Sequence, residues 1–188
     1  MKFPLMISAV TVCAILLLST SRNPATAYAA PQSPAPGVAR CDAEAYVMDK
    51  DPNGLNVRAT PGKTSKIIGN LPNNDVEGIR VHLTGASGEW VRIDHAHETG
   101  GEVDRSLFDG VGWVYGPLLG VSGTATSNGK TNLYRDHSIN SQVVVRVPSD
   151  GGVVVRGCYG GWMYVEYKGV KGWGAPSTLC ANPLTTCV

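Results

Sequence analysis

Residues Trp162–Tyr167 alternate: Trp162, Tyr164 and Glu166 fall on one side of an extended chain, and Met163, Val165 and Tyr167 on the other. Lys168-Gly169 follows, and a glycine there suits a tight turn because it takes a positive φ without steric cost. Gly172-Trp173 then opens a return strand. The same grammar occurs earlier, where Gly88-Glu89-Trp90 leads into Trp90–Ile93 and Gly112-Trp113-Val114-Tyr115 returns. From about Ala43 onward, short runs rich in Val, Ile, Tyr and Trp alternate with Gly, Pro, Asn and Asp clusters. No stretch there carries a helical period, so the pattern predicts an all-β fold of small barrels or sandwiches.

The two halves align. Asn56-Val57-Arg58 is set against Leu133-Tyr134-Arg135, Ser65–Pro72 against Ser141–Pro148, Trp90 against Trp162, and Trp113 against Trp173. Internal similarity of this kind predicts two structural units. In the strands after each turn, Val91 and Ile93, and likewise Met163 and Val165, take the core face. Trp90 and Arg92, like Trp162 and Tyr164, then share the opposite face, where an aromatic ring is either a ligand platform or a cover between the units. For Trp113 and Trp173, on the return strands, packing is the preferred role.

The ordered set Leu55-Asn56-Val57-Arg58, Ile68-Gly69-x-Leu71, Gly88-x-Trp90 and Gly112-Trp113 resembles the bacterial SH3-like domain of exported proteins. The second half resembles it more loosely, with no Pro-Gly after Arg135 and with Gly174 in place of Val114. The resemblance implies two tandem SH3-like barrels, the first over 43–121 and the second within 122–188 together with a C-terminal tail, and a binding role without catalysis. Such modules are often attached to cell-wall hydrolases, and beside the two barrels only the short tail Ala181–Val188 remains.

The first 29 residues carry a targeting signature. Lys2 is followed by a 14-residue apolar run, Leu5–Leu18, short for a membrane span. Ala25-Thr26-Ala27 and Ala27-Tyr28-Ala29 both fit a small-residue cleavage site, and cutting after Ala29 is favoured over Ala27 or an uncleaved anchor. A Pro-rich linker is expected over 30–42. Cleavage removes Lys2 and Arg22, leaving 14 basic against 15 acidic residues. That balance argues against nucleic acid or an anionic membrane as partner. The mature chain is expected to be secreted or periplasmic, in the cell envelope, with no membrane anchor.

Four cysteines remain: Cys41, Cys158, Cys180 and Cys187. An even number in an exported chain suggests disulfides, and four allow three pairings. The pairing favoured is Cys158–Cys180 within the second unit and Cys41–Cys187 between the ends. No CxxC occurs, and no zinc site is expected.

The spacing between the Trp landmarks is 23 positions in the first half and 11 in the second. The 12 extra residues fall in Asp94–Gly110, read as a long loop of the kind that often carries function. His95-x-His97 in extended chain sets two imidazoles on one side, about 7 Å apart. With Glu98 or Asp104 they can form a divalent metal site, although a solvated acidic loop is the plainer reading. No nucleophile elbow, phosphate loop or dinucleotide fingerprint is present, and no cofactor is expected.

These readings converge on a binding module that recognises cell-wall peptide or glycan. Its candidate contacts are Trp90 and Tyr115 in the first unit, and Tyr134, Trp162 and Tyr164 in the second. An adaptor for another exported protein would use the same rings. A metal-dependent enzyme centred on His95 and His97 is the third reading.

Overall fold

The computed structural model describes residues 37–73, 78–100, 105–124, 129–149, 151–182 and 184. The expected signal segment, the linker as far as residue 36, Glu102, Asp104 and Cys187 lie outside these. The described residues hold thirteen strands: β1 Ala39–Val47, β2 Leu55–Arg58, β3 Ile67–Leu71, β4 Ile79–Ser87, β5 Trp90–Glu98, β6 Ser106–Tyr115, β7 Leu119–Gly123, β8 Lys130–Tyr134, β9 Val143–Pro148, β10 Gly152–Tyr159, β11 Trp162–Tyr167, β12 Val170–Gly174 and β13 Leu179–Cys180. One turn of 3-10 helix, Gly116–Leu118, separates β6 from β7. The class is all-β, as the alternation predicts.

The strands pair antiparallel in the order β3-β2-β6-β5-β4-β1-β7-β10-β11-β12-β8-β9, with β13 also beside β7. The scheme occurs twice. β1 pairs β4 as β7 pairs β10. The run β4-β5-β6-β2-β3 matches β10-β11-β12-β8-β9. Finally, β7 pairs β1 as β13 pairs β7. So β7 ends the first set and begins the second, and the expected boundary between residues 121 and 122 falls inside it. Part of the range read as linker is strand, since β1 begins at Ala39. Ala39 and Arg40 already pair with Ala86 and Gly85 of β4.

Alternation drives the burial. Val91 and Ile93 on β5, and Met163 and Val165 on β11, are buried while their neighbours are half-exposed. They join one apolar cluster with Val57, Leu71, Val81, Leu83, Leu119, Val121, Leu133 and Val155. Each such aliphatic side chain contributes about 1.5–3 kcal/mol by leaving water. The turn after β11 has Lys168 at φ 47° and Gly169 at φ 81°, the two-residue form whose twist suits a hairpin. The glycines of the return strands have a different cause. A Cβ on Gly112 would lie 2.2 Å from Val57 Cγ1, and one on Gly172 2.7 Å from Val144 Cγ2. β6 and β12 pass too close to their neighbours for any side chain there.

The 12-residue excess is not a free loop. β5 runs on to Glu98 and β6 begins at Ser106, so the insertion lengthens a paired hairpin. Ala96 within it is fully buried, and Phe108 packs on the core. Buried Glu98 takes both hydrogen bonds of the Arg105 fork, each at 2.7 Å.

The disulfide expectation is also corrected. Cys41 on β1 bonds Cys158 on β10, with their Cα atoms 5.5 Å apart. Beside it, the Asp42 amide donates to Gly160 O at 2.8 Å and the Gly160 amide to Arg40 O at 2.7 Å. A Cys158–Cys180 bond is ruled out by register. Cys180 pairs with Ser122 of β7, which pairs in turn with Gly152, six residues before Cys158 along β10. At about 3.3 Å per residue that is roughly 20 Å. Cys180 is itself disulfide-bonded.

His82 on β4 ties three strands. Its Nδ1 is 2.8 Å from Asp94 of β5 and its Nε2 is 3.3 Å from Asp42 of β1. Partial burial works against the imidazolium, but the hydrogen bonds and charges of the two carboxylates outweigh it and raise its pKa above 6.5.

Two outcomes follow. Gly112→Ala should cost about 1–3 kcal/mol by overpacking against Val57. Gly169→Ala, which meets open space, should cost only about 1 kcal/mol of positive-φ strain. Urea unfolding that ranks the two equally would refute the close-approach explanation. Because the folded pKa of His82 is the higher one, its stabilisation is present in full below pH 6.5 and is lost as pH rises through the raised value. Wild type should therefore exceed His82→Gln in stability most at about pH 5–6, and the gap should close in alkali. A gap that widens with pH would contradict the assignment.

Candidate functional site

The twofold pairing scheme sets equivalent side chains on the outer face of each half. In the first half Trp113 of β6 lies between Arg92 of β5 and Arg58 of β2. In the second, Trp173 of β12 lies between Tyr164 of β11 and Tyr134 of β8. Arg58 is therefore the counterpart of Tyr134, one residue away from the sequence alignment. Beyond each, the Ala59 amide bonds Lys66 O as the Arg135 amide bonds Gln142 O. The same backbone thus presents arginines in one half and tyrosines in the other.

In the second half the rings form a connected surface. Tyr134 meets Trp162 edge-on at 6.0 Å between centroids, and Tyr164 meets Trp173 at 5.0 Å. His137 lies 5.4 Å from Trp173 and 4.7 Å from Tyr159. Three predicted contacts, Tyr134, Trp162 and Tyr164, are brought together here. Trp173, His137 and Tyr159 complete the surface and were not among the predicted contacts. Tyr159 was readable in principle, since it pairs with Trp162 across the Gly160-Gly161 turn. His137 lies in a turn and carried no periodic signal. Trp113 is only 7% exposed, and packing is its role.

Trp90 and Tyr115 form a separate cluster. They are cross-strand partners of β5 and β6, with centroids 5.5 Å apart. They wall a groove of about 320 Å³ that Asp49, Asp51, Arg58 and Lys63 also line. The second half braces this wall. The Tyr115 hydroxyl donates to Glu89 at 2.9 Å, and Arg156 Nη1 of β10 donates to Glu89 at 2.7 Å. Arg156 Nε also donates to Glu166 of β11 at 3.1 Å. The Glu89 carboxylate holds the Tyr115 phenol above its usual range. In turn the Tyr115 hydrogen bond, aided by the Arg156 charge, holds Glu89 below its own.

His95 and His97 stand with ring centroids 5.3 Å apart on the lengthened hairpin. His95 Nδ1 is 2.6 Å from Asp109, whose other oxygen accepts the Ser106 hydroxyl at 2.7 Å. These partners, Ser106 first, hold the Asp109 carboxyl below its ordinary range. Among the described residues no group of three or more His, Cys, Asp or Glu side chains is arranged to hold a metal ion.

Residues 53–120 match the bacterial SH3 domain family. That span runs from the β1–β2 connection to Gly120 within β7. No curated protein matches this chain. Among solved structures, the structure of NlpC2 from Trichomonas vaginalis is similar at 15% identity, covering 75% of this chain and 48% of that chain with a TM-score of 0.29. The structure of NlpC1 from Trichomonas vaginalis is similar at 15% identity, covering 73% of this chain and 45% of that chain with a TM-score of 0.28. This chain thus spans slightly under half the length of either.

Removing the carboxylate beside Tyr115 tests the brace. In Glu89→Gln the Tyr115 phenol should titrate back toward 10, read as the ultraviolet difference between each protein and its Tyr115→Phe counterpart. An unchanged Tyr115 titration would mean that the hydrogen bond to Glu89 is not made in solution.

Proposed function

We propose that this chain is an exported, non-catalytic binding module of the bacterial envelope that holds cell-wall glycan or peptide on its aromatic faces. The observation that carries this reading is the outer-face ladder Tyr134–Trp173–Tyr164, with Trp162 beside it. Rings set on paired strands keep their positions before a ligand arrives. They offer broad apolar contact and lose few rotamers on binding. Tyrosine hydroxyls at the same face give hydrogen-bonding partners suited to sugar hydroxyls or peptide amides.

Other features support the same reading. The match of residues 53–120 to the bacterial SH3 domain family is in keeping with a binding role. The Lys2 and Leu5–Leu18 signature argues for export. The Cys41–Cys158 bond suits an oxidising compartment. Among the described residues no helix is long and apolar enough to cross a membrane.

Co-sedimentation of the oxidised mature chain with insoluble peptidoglycan tests the proposal. The chain should pellet, and Trp162→Ala and Trp173→Ala should each weaken binding about tenfold, near 1.4 kcal/mol. Near-ultraviolet circular dichroism checks that the variants remain folded. Folded variants that pellet like wild type would remove the aromatic face from the function. A wild-type chain that stays in solution would remove the wall as ligand.

A further inference from the structure

We infer that the first-half groove is a distinct subsite for a dipolar ligand end: an amino acid or short peptide carrying a free ammonium and a free carboxylate. The proposal rests on the envelope-binding reading for the source of such a ligand, and on the groove alone for its chemistry.

Charge of both signs lines one cavity. Asp49 and Asp51 come from the β1–β2 connection, Arg58 from the end of β2 and Lys63 from the β2–β3 connection. None of the four forms an ion pair among the described residues, although opposite charges share the groove. Each carboxylate spends one oxygen on local turn bonds. Asp49 Oδ1 accepts the Asp51 amide at 3.0 Å, and Asp51 Oδ1 accepts the Asn53 amide at 2.9 Å. Arg58 spends Nη1 on Ser65 O at 2.7 Å, which fixes its guanidinium and leaves Nη2 and Nε to act as a fork for a carboxylate. A ligand with one charge would satisfy one side of the groove and be repelled by the other. A dipolar ligand satisfies both. Its carbon skeleton would lie against Trp90, Tyr115 and Leu118, which line the same space. A volume of about 320 Å³ is at the small end for ligand sites and suits one or two residues.

The second half supplies an internal comparison. Tyr134 stands where Arg58 does, Ile139 aligns with Lys63, and Ala175 follows Trp173 at the spacing of Tyr115 from Trp113. The groove cations Arg58 and Lys63 and its second ring are therefore features of the first half. Duplicated backbones with different side chains at matched positions point to different ligand groups.

The test uses the ¹⁵N-labelled, oxidised mature chain and follows the Trp90 indole resonance, assigned by Trp90→Phe. Alanylalanine with free ends should shift it saturably. N-acetyl-alanylalanine and alanylalanine amide should each bind at least about tenfold more weakly. In Asp49→Asn/Asp51→Asn the free and acetylated dipeptides should bind alike. In Lys63→Gln, which leaves the Arg58–Ser65 bond intact, the preference for the free over the amidated dipeptide should shrink severalfold, with Arg58 holding the remainder. Raising salt to 1 M, where screening acts within about 3 Å, should weaken the free dipeptide. No saturable shift, or capped and free dipeptides binding equally, would overturn the subsite. Wall pelleting without dipeptide binding overturns this proposal and leaves the envelope reading standing. Dipeptide binding without pelleting does the reverse.

Discussion

A strand has two edges, and β7 uses both to serve two sets of partners. Along one edge it pairs with β10 through Gly120, Val121 and Ser122. Along the other, Leu119 and Gly120 take β1, and Ser122 and Gly123 take β13. Its five residues close the first pairing scheme and open the second. Unpaired buried backbone groups are costly, so neither half can release β7 without leaving amides and carbonyls unsatisfied in the other. The Cys41–Cys158 bond and the Arg156–Glu89 ion pair add side-chain links across the same junction.

This sharing gives the two faces their relation. Each half has the same ladder, with the same close approach at Gly112 and Gly172, so each sets a tryptophan between two flanking side chains, buried as Trp113 in the first and part-exposed as Trp173 in the second. The flanking residues lie on the outer face, where packing constrains them least. There the halves have diverged to arginine and tyrosine. The scaffold is thus repeated while the surface chemistry is not, and the brace from Arg156 to Tyr115 makes the shape of the first groove depend on the second half.

Much of the local structure was legible in the chain. The alternation around Trp90 and Trp162 predicted which residues are buried, and Lys168-Gly169 predicted the turn. Trp162 and Tyr164 were placed on one face of their strand, where Tyr134 meets Trp162 and Tyr164 is the cross-strand partner of Trp173. The insertion was misread because its composition is polar. Its alternation at Asp94–Glu98 is obscured by irregular pairing between Ile93 and His95, which a strict period of two does not tolerate. The one-residue error at Arg58 has another origin: the pairing shifts at equivalent places in both halves, Val57/Arg58 and Leu133/Tyr134, and the alignment matched Arg58 to Arg135 by residue type.

What the sequence determined by itself was whatever depends on near neighbours: strand alternation, turn glycines, the all-β class and the repeat of the Gly-Trp pairs. Only the tertiary structure decided which edges meet, and with them the disulfide partner of Cys41, the double service of β7, the joining of His137 and Tyr159 to the aromatic surface, and the mixed charge of the first groove. The reason is physical. Alternation follows from a 3.3 Å rise and a twofold side-chain period within one strand. Pairing is chosen by the free energy of all edges together, and the residues it joins, such as Glu89 and Arg156, lie 67 positions apart.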